Sequence, residues 1–68
     1  MTNTELLKAV IAKSGLKLQH LAEVLGISRQ ALNKKIENKT QFKAGEIKSL
    51  CDVLGIESVS DKERIFFA

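Results

Sequence analysis

Apolar side chains recur along this chain at helical spacing. Leu6, Leu7, Val10 and Ile11, with Ser14, fall in one sector of a 3.6-residue period, while Glu5, Lys8 and Lys13 lie outside it. Gly15 follows where a left-handed cap closes a helix, so helix 1 is expected over roughly residues 4–14. Leu18, Leu21, Ala22 and Leu25 repeat the pattern with Gln19, His20 and Glu23 turned away, and Gly26 ends this helix 2 after about two turns. Ser28 is a good N-cap for helix 3, whose inner side carries Leu32 and Ile36. Its other side gathers Arg29, Gln30, Asn33, Lys34 and Glu37 into a continuous polar strip.

Residues 38–41 read as a polar connection, after which Phe42 returns to the core. Ile47, Leu50, Cys51 and Leu54 then define helix 4, expected over roughly 44–54 and stopped by Gly55. The tail, residues 57–68, has two readings, a short helix or an extended segment. Ser60-x-x-Glu63 fits a capping box, yet Ile65, Phe66 and Phe67 spread over about 200° of a helix and cannot share one core face. At least one of Phe66 and Phe67 is therefore expected to be exposed or to meet a partner. The pattern predicts an all-α domain of four to five helices filling residues 1–68.

Composition narrows the function. With 68 residues there is room for one small core, and no apolar run approaches the roughly 18 residues a membrane helix needs. Nothing at residues 1–5 reads as a secretory signal, so a cytoplasmic protein without a membrane partner is expected. One cysteine, Cys51, and one histidine, His20, fall short of a metal site, and Cys51 reads as a small core side chain. Ser28 has no base at a plausible position and no glycine-rich phosphate loop occurs, so no enzyme and no cofactor are expected. Charge is segregated: residues 1–43 carry eight positive and three negative side chains, a balance of +5, whereas residues 44–68 balance to −2. A polyanion would meet the first part.

Helices 2 and 3, over about residues 18–37 and joined by Gly26-Ile27-Ser28, have the spacing of a helix-turn-helix. Ala22 permits a close crossing, Gly26 a positive φ, and Leu32 seals the angle. Through Leu21-Ala22-Glu23-Val24-Leu25-Gly26-Ile27-Ser28-Arg29-Gln30-Ala31-Leu32 the chain resembles the Cro and CI repressors, the lambda-repressor-like helix-turn-helix regulators. Through Lys35-Ile36-Glu37-Asn38, Phe42-Lys43-Ala44, Leu50-Cys51-Asp52 and Ile65-Phe66-Phe67-Ala68 it is similar to small Cro-like proteins of Gram-positive phages and prophages. The resemblance implies a compact domain whose third helix enters the major groove of operator DNA, usually as a homodimer. Four positions depart from the family habit: Leu18 replaces a phosphate-bonding glutamine, Lys17 replaces the usual Ser or Thr cap before it, Lys35 stands where an apolar residue is common, and Lys39 takes the approximate place of a loop glycine.

Base edges are read by hydrogen bonds, and phosphates are gripped without regard to sequence. Arg29 suits guanine O6 and N7, Gln30 and Asn33 carry the amide pair that matches adenine, and Lys34 continues the strip. These four are the candidate base readers. Ser28, Gln19, Lys35, Lys39 and Lys43 are candidate phosphate ligands, and His20, facing outward, is read as a bystander. Ile65, Phe66 and Phe67 are the candidate dimer contacts, by analogy with Cro-type tails. The expected function is a transcriptional regulator with no small-molecule effector. A second reading is an interaction module, an antirepressor or toxin–antitoxin partner, that keeps the fold without specific DNA binding.

Overall fold

The computed structural model describes residues 1–68. It holds five α-helices and no strand: α1 (Thr4–Ser14), α2 (Leu18–Leu25), α3 (Arg29–Ile36), α4 (Ala44–Leu54) and α5 (Val59–Phe66). The first four lie where the apolar spacing puts them. Asn3 caps α1 by accepting from the Leu6 amide at 3.1 Å, and Ser28 caps α3 by accepting from the Ala31 amide at 3.0 Å. No helix is long and apolar enough to cross a membrane.

One stop is used twice. Leu25-Gly26-Ile27 and Leu54-Gly55-Ile56 both end a helix with a left-handed glycine, φ 71° and 72°. The following isoleucine amide bonds back into the helix, from Ile27 to the Ala22 carbonyl at 3.0 Å and from Ile56 to the Cys51 carbonyl at 2.9 Å. At Gly26 this stop turns the chain directly into α3. A Cβ there would meet nothing within 4 Å, so alanine is opposed by backbone conformation alone. Gly26→Ala should therefore cost about 1–2 kcal/mol in urea unfolding. An unchanged midpoint would mean that the turn relaxes out of the left-handed region.

Eleven side chains form the core: Leu7 and Ile11 of α1, Leu21 and Ala22 of α2, Leu32 and Ile36 of α3, Leu50 and Cys51 of α4, Ile56, and Ile65 and Phe66 of α5. Leu6, Val10, Leu18, Leu25, Phe42, Ile47 and Leu54 pack against them, half-buried. Ser14, placed by its spacing in the apolar sector, is exposed instead. Its hydroxyl donates to the Ile11 carbonyl at 2.6 Å and accepts from the Leu16 amide at 3.1 Å, closing the end of α1. Cys51 is a free, buried thiol; burial pushes its pKa up, with Asp52 adding to this and Lys62 opposing it. A thiol held protonated in this way is a packing group.

The tail is helical, and it begins earlier than Ser60. Ser58 is the N-cap, its Oγ accepting from the Asp61 amide at 3.3 Å. Buried Ile56 fixes the chain two residues before Ser58, which leaves Ser60 inside the first turn. Ile65 and Phe66 then point into their own core, and the Phe66 ring meets Phe42 edge to face, with centroids 5.6 Å apart and planes at 87°. These two residues are thus removed from the candidate dimer surface, where only Phe67, 64% exposed, remains.

The first residues are sewn to both ends of the domain. The Asn3 amide donates to the Ile65 carbonyl at 2.6 Å, and the Ala68 amide donates to the Met1 carbonyl at 3.0 Å. Asn38, just past α3 with φ 65°, clasps Thr2 from the other side. Its Oδ1 accepts from the Thr2 amide at 2.9 Å, and its Nδ2 donates to the Thr2 carbonyl at 2.6 Å. Asparagine tolerates the left-handed region better than most residues, so the Asn38 backbone turns the chain out of α3 while its side chain satisfies both backbone groups of Thr2.

Candidate nucleic-acid interface

Helix α3 is buried along Leu32 and Ile36, and this orients everything else on it. Arg29, Gln30, Asn33 and Lys34 are all exposed. With Glu37 they occupy an arc of about 140° at 100° per residue. An eight-residue helix is about 12 Å long, comparable to the width of the major groove. The arc therefore presents long and amide-bearing side chains over a length that the groove admits.

Glu37 is the acidic member of the strip, and it does not stand alone. Its Oε2 lies 2.7 Å from Lys8 Nζ of α1. The Lys8 hydrogen bond, with the charge of Lys8 and then of Lys39, holds the Glu37 carboxyl below its ordinary range against a smaller opposing effect of burial. Both side chains are substantially exposed, so the pair contributes little to stability, and its effect is to cancel a negative charge at the end of the strip.

The candidate phosphate ligands separate. Gln19, Lys39 and Lys43 are exposed. Ser28 uses its oxygen as the α3 cap, and its hydroxyl hydrogen remains free to be donated. Leu18 is half-buried and lines an apolar cleft of about 250 Å³ between α1, α2 and α3, leaving Gln19 as the exposed polar side chain at the start of α2. Lys35 leaves the set. Its side chain is 12% exposed, its Nζ lies 2.9 Å from Glu46 Oε1, and it donates to the Gln41 carbonyl at 3.0 Å.

Glu46 is the centre of that arrangement. Lys43, the N-cap of α4, has no side-chain acceptor, and the Glu46 carboxylate accepts from its backbone amide at 2.8 Å. Burial pushes the Glu46 carboxyl up, but the Lys43 amide and the Lys35 ammonium outweigh it and hold the pKa below the ordinary 4.5. A lowered folded-state value means that the stabilisation is fully present above the unfolded value and disappears as pH falls through the folded one. The difference in melting temperature between the protein and its Glu46→Gln variant should therefore be largest near neutral pH and shrink below about pH 4.5. A gap that stays constant on acidification would show that the Glu46 charge is not what stabilises the fold.

Sequence reading missed three of these contacts. Asn38–Thr2 joins residues 36 apart in the chain, and Lys8–Glu37 crosses from α1 to the end of α3, so neither has a local pattern. Lys35 did carry a signal: a lysine three residues after buried Leu32 faces inward and needs a carboxylate. Lys43-x-x-Glu46, at the start of a helix, supplied one.

Two short helices crossed behind a Gly26 turn, the second anchored by a buried stripe and carrying an exposed polar arc, make up a helix-turn-helix DNA-binding module. A family model, described as the Cro/C1-type HTH DNA-binding domain, matches residues 6–61, and the chain belongs to that family. Domains of this type are DNA-binding regulators rather than enzymes. Searches of curated proteins and of solved structures returned no match.

Proposed function

We propose that the protein is a sequence-reading repressor of the Cro type, of phage or prophage origin, that occupies operators as a homodimer and responds to no small-molecule effector. The observation that carries the sequence-reading part is the exposed arc of Arg29, Gln30, Asn33 and Lys34 on a helix anchored in the core by Leu32 and Ile36. In this reading those four side chains meet base edges, while Ser28, Gln19, Lys39 and Lys43 meet phosphates. The phage and Cro-type assignment rests on the likeness of the segments 35–38, 42–44, 50–52 and 65–68 to small Cro-like proteins.

Size supports the dimer. The domain measures 28 Å along its longest axis, whereas successive major grooves on one face of DNA are about 34–36 Å apart. One copy presents one recognition helix to one groove, so a two-groove site needs two copies. Phe67 is an exposed aromatic able to contribute to that contact.

The test is selection from random-sequence duplex DNA at about 150 mM salt, followed by sequencing of the bound fraction. The expected result is a motif with two-fold symmetry. A single asymmetric half-site would remove the dimer, and no enrichment from folded protein would leave an interaction module in place of a sequence reader.

A further inference from the structure

Between α3 and α4 the chain makes a seven-residue crossing, residues 37–43, that carries two exposed lysines, Lys39 and Lys43. Its backbone is fixed from both sides. At the α3 end, the Lys39 and Thr40 amides donate to the Lys34 carbonyl at 2.8 and 3.3 Å. At the α4 end, one ion pair collects the rest: Lys35 Nζ holds the Gln41 carbonyl, and the Glu46 oxygen that pairs with it also holds the Lys43 amide.

Glu46 can cap α4 without a partner, so helix capping alone does not explain why Lys35 is held against it. Both are 12% exposed, and replacing a largely buried ion pair by apolar groups of similar volume is often neutral or stabilising. On a segment of net charge +5, the pair also withdraws one cation from solvent and sets a carboxylate beside the crossing. For a surface that meets phosphates, both effects are unfavourable unless the pair supplies something else. What it supplies in this geometry is a single conformation for the backbone that carries Lys39 and Lys43.

We infer that Lys35 and Glu46 are positioning residues for phosphate binding: they touch no DNA and hold the 37–43 crossing so that Lys39 and Lys43 reach the DNA backbone already ordered. This rests on the DNA-binding reading above. The gain is preorganisation, since side chains and loops ordered before association lose less freedom when it occurs.

The sign of one substitution separates this from simple electrostatics. Glu46→Gln removes a negative charge near the DNA face, which by charge alone should tighten binding, while its amide oxygen can still accept from Lys43. Positioning predicts the reverse. Glu46→Gln and Lys35→Met should each weaken duplex binding by about 5- to 10-fold, and the double variant should be no weaker than either single one. Lys35→Arg, which keeps the pair, should recover most of the loss. In the absence of DNA, backbone amides of residues 39–43 should exchange faster in both single variants, by more than the loss of global stability read at the core Leu32 and Ile36 amides.

The probe is the selected operator duplex or, if selection enriches none, a random duplex at low salt. Glu46→Gln binding as tightly as wild type or tighter would overturn the inference, as would unaltered exchange over residues 39–43. A loss confined to Lys35→Met would return Lys35 to direct phosphate contact. Wild-type protein that binds no duplex at all would overturn the DNA-binding reading itself, a result distinct from binding that the variants leave untouched.

Discussion

Phe66→Ala should lower the folding free energy by about 3–5 kcal/mol, and Phe67→Ala should change it by no more than about 0.5 kcal/mol. The two residues are neighbours of the same type, so the contrast isolates burial. Phe66 is 3% exposed and stacks edge to face on Phe42, whereas Phe67 is 64% exposed at the end of α5. Removing the Phe66 ring forfeits its transfer free energy, leaves a cavity in the core and withdraws the partner of Phe42. In a domain of this size 1 kcal/mol shifts the midpoint by about 4–8 °C, so Phe66→Ala should lower Tm by more than about 10 °C, measured by circular dichroism in dilute protein. Total stability is only about 5–15 kcal/mol for a typical domain, so this variant should lose a large share of its folded population near body temperature. Similar losses at both positions, or a larger one at Phe67, would mean that the tail seats a different ring.

If Phe67 is a dimer contact, its truncation should appear elsewhere. Folding of dilute protein would be unaffected, while affinity for a two-fold operator would fall toward that for a single half-site. Phe66→Ala would instead act on both through the fold.

How much of this was legible beforehand follows from the range over which each signal acts. The bounds of α1 to α4 were readable because Gly15, Gly26 and Gly55 sit where a positive φ is required and because Leu and Ile repeat at 3.6-residue spacing. Those are local signals. The start of α5 was misplaced because Ser58 and Ser60 are both competent caps, and the choice is made by Ile56, which is buried against residues distant in sequence. Likewise the sequence states that Phe66 and Phe67 cannot both face the core but not which one does; the register of α5 against Phe42 and the Asn3–Ile65 bond decide it. The exposed face of α3 was legible for the same local reason as its buried one. Lys35 reads as a phosphate ligand because its charge is a local signal, while its partner Glu46 lies eleven positions away on another helix.

Arg29→Ala should cost about 1–3 kcal/mol of operator affinity per subunit, roughly 5- to 150-fold, and relax the preference at one base position. The side chain is exposed in the first turn of α3 and makes no ion pair within the domain, so its loss should leave the melting curve unchanged. Asn33→Ala should behave in the same way at a different base position. Lys39→Ala is the control from the other class of contact: it should weaken every sequence evenly and lower the slope of log K against log salt by about one per subunit. The comparison is made by titrating each variant against the selected operator and a scrambled duplex at several salt concentrations. A base reader changes the ratio of the two affinities; a phosphate ligand changes both and preserves the ratio. Equal losses on operator and scrambled DNA for Arg29→Ala would move that residue to the phosphates, and with it the centre of sequence reading to Gln30, Asn33 and Lys34 further along the same exposed arc.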